Sequence, residues 1–332
     1  MTTTPQESAL TRPPLRSYGI IIVVLAAAAW LHLGALLVTI LFSLFALHIF
    51  YFWGKRWLAL TLFLMLASLI FFGTSVFIHM MVREVPKIIE EAIPTVVEFA
   101  EKHDITLPFS DISDLKKASK EAAPKMAQSS VVYKNVVIFA RSAAKGSIMV
   151  IAGIVIAMGI FLHREPKQHL PPNLYVHYYQ VAQERFQDFF RSFERVMGAQ
   201  LIISLINTVA TAAFVLATPL VKFAWIIIPV TFFCGLLPIV GNLISNTLIF
   251  SIAIVFFSPH MAVGALLFLI IIHKLEYFLN SKIIGHRIRQ PMWLTLIGLI
   301  VGEYLMGIPG VILAPVVLNY LKEEASRYAV PV

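Results

Sequence analysis

Apolar residues dominate 18–53, 57–82, 146–162, 196–217, 223–257, 261–281 and 290–321, with polar segments at 83–145 and 163–195 between them. Such runs have the length of bilayer spans, not of ordinary core helices. Residues 18–53 read as a helical hairpin turning near His32-Leu33-Gly34. Two runs are broken near the middle: 223–257 at Pro238-Ile239-Val240-Gly241-Asn242, and 290–321 at Gly307-Ile308-Pro309-Gly310. A helix rises about 1.5 Å per residue and a hydrocarbon core is about 30 Å thick. Each broken run is therefore too long for one span and scarcely enough for two. Broken helices persist in lipid only where protein or a watery cavity satisfies the freed backbone. A pair of them in matching positions points to a transporter's substrate site. The pattern predicts an all-α, polytopic helical membrane protein of about eight membrane segments, two of them broken hairpins read as re-entrant. Ordinary paired short spans with tight turns are the alternative.

The polar segments carry periodicity of their own. Val85, Ile88, Ile89, Ala92, Ile93, Val96, Val97 and Ala100 make a 3.6-period stripe, with Pro86 near its start and Pro94 expected to kink it. A loop with Asp104, Pro108 and Asp111 follows, and Ser113 is an N-cap candidate for a Lys-rich helix. In the second segment, Tyr175, Tyr179, Ala182, Phe186, Phe189, Phe193 and Val196 repeat at three- and four-residue steps after Pro171-Pro172, with Arg185, Arg191 and Arg195 off that seam. This reads as an amphipathic helix against the membrane surface or a partner helix. The organisation is then N-terminal membrane helices (1–82), an external helical insert (83–145), a span (146–162), a cytoplasmic amphipathic helix (163–195), a C-terminal transport core (196–321) and a cytoplasmic tail (322–332).

Composition agrees: 59% hydrophobic, 13% charged and a mean hydropathy of +0.83. The net charge of +8 is no nucleic-acid signal, because the basic residues flank apolar runs, as topology determinants do. Placing Arg12, Arg16, Lys55, Arg56, 163–195, Lys282, Arg287, Arg289, Lys322 and Arg327 in the cytoplasm is self-consistent. Both termini are then cytoplasmic, in a multi-pass protein of the cell (inner) membrane. The insert, with ten Lys/Arg against nine Asp/Glu, lies outside. The apolar run continues from the N-terminal arginines to Trp53, which fits a retained signal-anchor better than a cleaved signal peptide. In this orientation the two broken hairpins enter from opposite sides, as in an inverted-repeat transporter core whose tips meet near the midplane. The single cysteine, Cys234, reads as a small hydrophobe.

Ionisable and amide groups inside spans are functional candidates. His273, Glu276, Tyr277 and Asn280 share about 100° of one helix face. Asn242 and Asn246 lie one turn apart just after the first break, beside Ser245. Glu303 precedes the second break by one turn, where it would be buried near the tip; a carboxyl there suits proton coupling or cation binding. Pro238, Gly241, Gly307, Pro309 and Gly310 shape the breaks themselves. The structural alternatives are an interfacial helix end for the His273–Asn280 face and a headgroup-level Glu303. Gly298 and Gly302 form a small-xxx-small pair that signals close packing. His32, His48 and His79 lie near span ends and read as interfacial. No P-loop, HExxH, CxxC or nucleophile elbow occurs, and the histidines lack metal-ligand spacing. ATP-driven transport, enzymatic chemistry and a bound cofactor or metal have no motif behind them.

Three segments together resemble one family. Leu236-Leu237-Pro238-Ile239-Val240-Gly241-Asn242 is similar to its Pro-x-x-Gly break. Glu276-Tyr277-Phe278-Leu279-Asn280-Ser281-Lys282-Ile283-Ile284-Gly285 resembles its Glu-led segment. Met306-Gly307-Ile308-Pro309-Gly310-Val311-Ile312-Leu313-Ala314-Pro315 resembles its closing signature. The family is the AI-2E (autoinducer-2 exporter-like) transporters. The resemblance implies a secondary-type transporter that assembles as a homo-oligomer, a pentamer among the options. It implies export of a small polar solute such as autoinducer-2, or exchange of sodium or lithium for protons. Ser281 stands where the family's usual proline falls, and Glu303 where an uncharged residue is usual; the second departure leans toward ion coupling. The expected partners are the lipid bilayer, the solute or cation and further copies of the chain. A non-transporting scaffold, recruiting partners through the external helices, is the alternative from another class.

Overall fold

The computed structural model describes residues 15–102, 130–163, 173–238, 240–257, 259–279 and 291–326. Ten α-helices make up the described chain: α1 (Leu15–Trp30), α2 (Gly34–Phe50), α3 (Arg56–Lys102), α4 (Ser130–Leu162), α5 (Leu174–Leu216), α6 (Ala224–Gly235), α7 (Val240–Phe256), α8 (Pro259–Leu279), α9 (Met292–Met306) and α10 (Ile308–Ser326). The all-α, polytopic membrane class holds. Five helical segments, in α2, α3, α4, α5 and α8, are long and apolar enough to cross a bilayer.

The polar segments do not interrupt the helices as their charge predicts. α3 runs unbroken for 47 residues, through Pro86 and Pro94, so the span and the insert's first helix are one rod. The insert's last helix likewise continues into the next span as α4, and the amphipathic helix continues into its span as α5. Asn173 caps α5, its Oδ1 accepting from the Val176 backbone N–H at 2.9 Å. The loop with Asp104, Pro108, Asp111 and Ser113, Pro171-Pro172, and the basic residues at 12, 282, 287, 289 and 327 lie outside the described residues, as do the side chains of most of the 85–100 stripe.

α5 is the spine. One core gathers Leu41 and Leu44 of α2, Ala157 of α4 and Leu313 and Val316 of α10 around Phe189, Phe193 and Met197 of α5. A second core joins Val215, at the other end of α5, to Ile227, Ile249 and Ala253 of the first hairpin and Ala265 of α8. Phe214 stacks on Phe268 there, with ring centroids 4.2 Å apart. Along the predicted aromatic stripe, Phe189 and Phe193 are buried while Tyr175 and Tyr179 are exposed.

Both broken hairpins form, and both lie on α5. α6, α7 and α9 have 12, 17 and 15 residues, about 18, 25 and 22 Å, less than a hydrocarbon core. The last four carbonyls of a helix have no intrahelical donor. At the end of α6 two of them are taken by α5: Gln200 Nε2 donates to the Gly235 carbonyl at 2.6 Å, and Ser204 Oγ donates to the Phe232 carbonyl at 2.7 Å. Gly241 lets α7 start against α6, because a Cβ there would collide with the Cys234 carbonyl. In the second hairpin Gly307 is the whole turn, at φ +66°, a conformation that favours glycine. Gly302 and Gly310 press backbone on backbone, and a Cβ on Gly298 would meet Leu318 Cδ1 at 2.8 Å. Close packing is thus the role of the small-residue pair.

α10 is anchored at its far end by charge. Arg185 Nη1 donates to Glu324 Oε2 at 2.7 Å, with both side chains nearly fully buried. Arg195 pairs with Glu323, which also accepts from Asn319 Nδ2 at 3.0 Å. Arg185, expected off the buried seam, is therefore an internal ion-pair partner. Tyr320 packs edge-on against Phe189. Pairing 320 with 189 and 324 with 185 makes α10 antiparallel to α5, and the same register carries Ile308 and Pro309 to the level of Gln200. Both hairpin tips thus reach one level of α5 from opposite ends. That level lies about 18–24 Å from the C-terminal end of α5.

Glu324→Ala removes the 2.7 Å partner of Arg185 and leaves it the longer contacts to Glu184 at 3.6 Å and Asp188 at 3.8 Å, so it should lower stability by up to about 3–5 kcal/mol. Arg185→Met with Glu324→Leu should recover most of it, both measured as thermal unfolding in detergent. Gln200→Leu should cost about 1–3 kcal/mol by orphaning the Gly235 carbonyl, with Gln200→Glu, which lacks the N–H donor, no better. Unchanged unfolding in Gln200→Leu would show that the carbonyl needs no cap.

Candidate functional site

The first hairpin and α8 bring together residues from two helices, α7 and α8. Asn242 sits in the first turn of α7, facing inward at 8% exposure, and Glu276 sits near the end of α8, also at 8%. The Asn242 side chain hydrogen-bonds to the Glu276 carboxylate. His273, one turn before Glu276, approaches it to 4.0 Å with Nδ1 but stands largely exposed. Ser245 is buried and donates to the Asn242 carbonyl at 3.3 Å. Asn246, on the same side of α7, is half-buried. An ionisable carboxyl is thus held by an amide that follows the unwound backbone at Leu236–Pro238 by one turn.

A polar stripe on α5 completes this region. Gln200, Ser204, Asn207 and Thr211 recur at four-, three- and four-residue steps, which is one helix face, and all four are buried. The first two cap α6, as described above. Asn207 is 1% exposed, and neither atom of its amide has a hydrogen-bond partner among the described residues. Thr231 Oγ1 on α6 is likewise buried without a partner. The Ser204–Phe232 hydrogen bond places Thr231 within about one turn of Asn207 along the α5–α6 contact. Buried amides and hydroxyls are costly when left unpaired, and water or a polar ligand can satisfy them. Sequence reasoning missed this stripe, although the 4-3-4 spacing of polar residues inside a span was there to find.

The remaining predicted residues fall elsewhere. Pro238 is half-buried in the turn of the first hairpin, and Gly241 is buried where α7 leaves it. Gly307, Pro309 and Gly310 shape the second tip, and the Pro309 Cβ lies 3.0 Å from a Cβ built on Gly34, so this tip rests on the start of α2. Glu303 is exposed on α9, not buried: the inward face of α9 is given to Gly298 and Gly302, and a residue one position after Gly302 points away from it. α9 makes no extensive contact with α7 or α8, and no extensive interface joins the two hairpins, among the described residues. Glu303 therefore stands apart from Asn242 and Glu276. Asn280 lies outside the described residues, and nothing is described of the Tyr277 side chain.

Two comparisons bear on this arrangement. The family model described as "AI-2E family transporter" matches residues 19–329. The "Putative transport protein YdbI" of Bacillus subtilis (strain 168) is 30% identical over 153 residues, covering 42% of this chain and 42% of that relative's length. The family match spans the N-terminal helices, the insert, the long spine and both broken hairpins, and on that extent the chain belongs to the AI-2E transporter family.

Proposed function

We propose that this protein is a secondary transporter working by alternating access, with its polar pathway along the first hairpin where Asn242 and Glu276 meet the α5 stripe. The observation that carries the reading is the buried Asn242–Glu276 hydrogen bond beside a helix break. A carboxyl inside a membrane bundle is expensive, and such groups mark solute or ion pathways. The exposed His273 gives the carboxyl a polar neighbour on its open side. Asn207 and Thr231 supply unpaired donors and acceptors deeper in. The solute class that fits a lining of one carboxyl, amides and hydroxyls is a small polar solute, with autoinducer-2 the candidate from the family. Sodium or lithium exchange for protons is the second reading, favoured by the carboxyl itself, which can hold a cation or a proton in turn. Export, a homo-oligomer and a cell-membrane location with both termini inside complete the proposal. The short hairpins support re-entrant loops from opposite sides.

The test is flux in proteoliposomes, comparing autoinducer-2 with sodium under an imposed pH gradient. Glu276→Gln and Asn242→Ala should each lower transport roughly ten- to hundredfold, the scale of a hydrogen bond to a charged group. Glu303→Gln should have the smaller effect. Wild-type flux in Glu276→Gln would remove the carboxylate from the mechanism. Zero flux of either solute by wild-type protein would favour a scaffold.

A further inference from the structure

A cleft of about 820 Å³ opens along the first half of α5, N-terminal to the polar stripe. The α5 residues that line it run from Tyr179 to Glu194 and include none of Gln200, Ser204, Asn207 and Thr211. The cleft is therefore separate from the proposed transport pathway, and the inference drawn from it does not depend on that pathway.

Its position is set by three helix ends. α2 stops at Phe50, α3 starts at Arg56 and α4 stops at Leu162, so the cleft lies where apolar spans give way to polar chain. Its lining is mixed. Leu44, Ile160, Phe161, Phe186 and Phe190 supply apolar surface, with His48 and Tyr51 packed on Phe161. Arg56, Arg191, His48, His163 and Tyr51 supply polar groups, against the single carboxylate of Glu194. Arg56 donates through Nη1 to the Leu162 carbonyl at 3.2 Å, which holds the guanidinium at the rim and offsets the negative end of α4. Arg191 contacts Asp188 through Nη1 at 3.4 Å and is otherwise largely exposed. Glu194 faces His48 at 4.0 Å. Arg191 also faces the Glu194 carboxylate. A guanidinium has five donors in a planar fork, so these contacts leave both arginines with donors for a phosphate.

We infer that this cleft binds a membrane phospholipid, its phosphate held between Arg56 and Arg191 and its acyl chains laid along the apolar surface. A free phosphate would use the same two guanidinium groups but would leave the apolar surface unused. Basic pockets between spans at the membrane surface take lipid headgroups for this reason. Bound there, the lipid would bridge α3, α4 and the first half of α5, the part of the spine that carries the Arg185–Glu324 anchor of the second hairpin.

The experiment uses delipidated full-length protein in a neutral detergent. Phosphatidylglycerol, diacylglycerol with the same chains, and inorganic phosphate are titrated separately, with retention read by native mass spectrometry. Phosphatidylglycerol should be retained and the other two not. Each lost charge-assisted contact should weaken binding roughly tenfold or more, so Arg56→Gln with Arg191→Gln should abolish retention over the same range. Arg191→Gln alone is measured beside it, because that side chain is exposed and its loss spares the Leu162 contact. Retention of diacylglycerol equal to that of phosphatidylglycerol would overturn the inference, as would wild-type retention by Arg191→Gln. Inorganic phosphate competing as well as the lipid would assign a free-anion site and overturn the lipid reading.

Discussion

Every backbone carbonyl freed by a broken helix in a bilayer must find a donor from protein or trapped water. That constraint explains why α5 carries amides and hydroxyls where a span should be apolar. Gln200 and Ser204 reach the Gly235 and Phe232 carbonyls, and in doing so they fix the depth at which the first hairpin can turn. The second hairpin solves the same problem differently. Its turn is a single glycine whose N–H donates back to the Glu303 carbonyl at 2.7 Å, and its two helices close backbone on backbone at Gly302 and Gly310. One hairpin is capped by another helix and the other largely by itself.

That difference assigns different work to the two ends of α5. The second hairpin draws its hold from outside the apolar region, through Arg185–Glu324, Arg195–Glu323 and the Phe189–Tyr320 contact. A buried ion pair adds little net stability compared with a packed apolar pair, but it is directional and costly to break. It therefore specifies register, and register is what sets the level of the Ile308–Pro309 tip. The first hairpin is held by apolar packing around Ile227, Ile249 and Ala253 and by the two caps.

Much of this was legible in the chain. Run lengths against bilayer thickness located the spans, and the interruptions at Pro238–Asn242 and Gly307–Gly310 located the hairpins. Helical spacing put His273 and Glu276 together, but it could not say that Asn242, on another helix, would reach Glu276; that depends on how α7 and α8 pack. The polar segments continue the spans as single helices, because charge marks where a helix leaves the membrane, not where it ends. Arg185 looked like a flank for a related reason. Its neighbours fit an aromatic stripe, and its partner Glu324 lies at the far end of the sequence. Nearness to the break does not show which way Glu303 points: glycines at 298 and 302 occupy the inward face of α9 and leave Glu303 exposed.

The polar atoms of the first hairpin fall into two classes, and the distinction bears on the transport proposal. Capped atoms are already committed: if a solute took the donors of Gln200 or Ser204, it would orphan a carbonyl and unseat the hairpin. Those residues hold the fold in place and make poor substrate ligands. The Asn207 amide and the Thr231 hydroxyl are under no such constraint, since pairing them with a solute removes a penalty without creating another. Glu276 lies between the classes. Its hydrogen bond to Asn242 can be exchanged for one to a solute, a cation or a proton, because Asn242 sits in the first turn of α7, just past the end of α6. A site that must empty as well as fill requires partners of this exchangeable kind, and Asn207, Thr231 and Glu276 supply them on three helices, α5, α6 and α8.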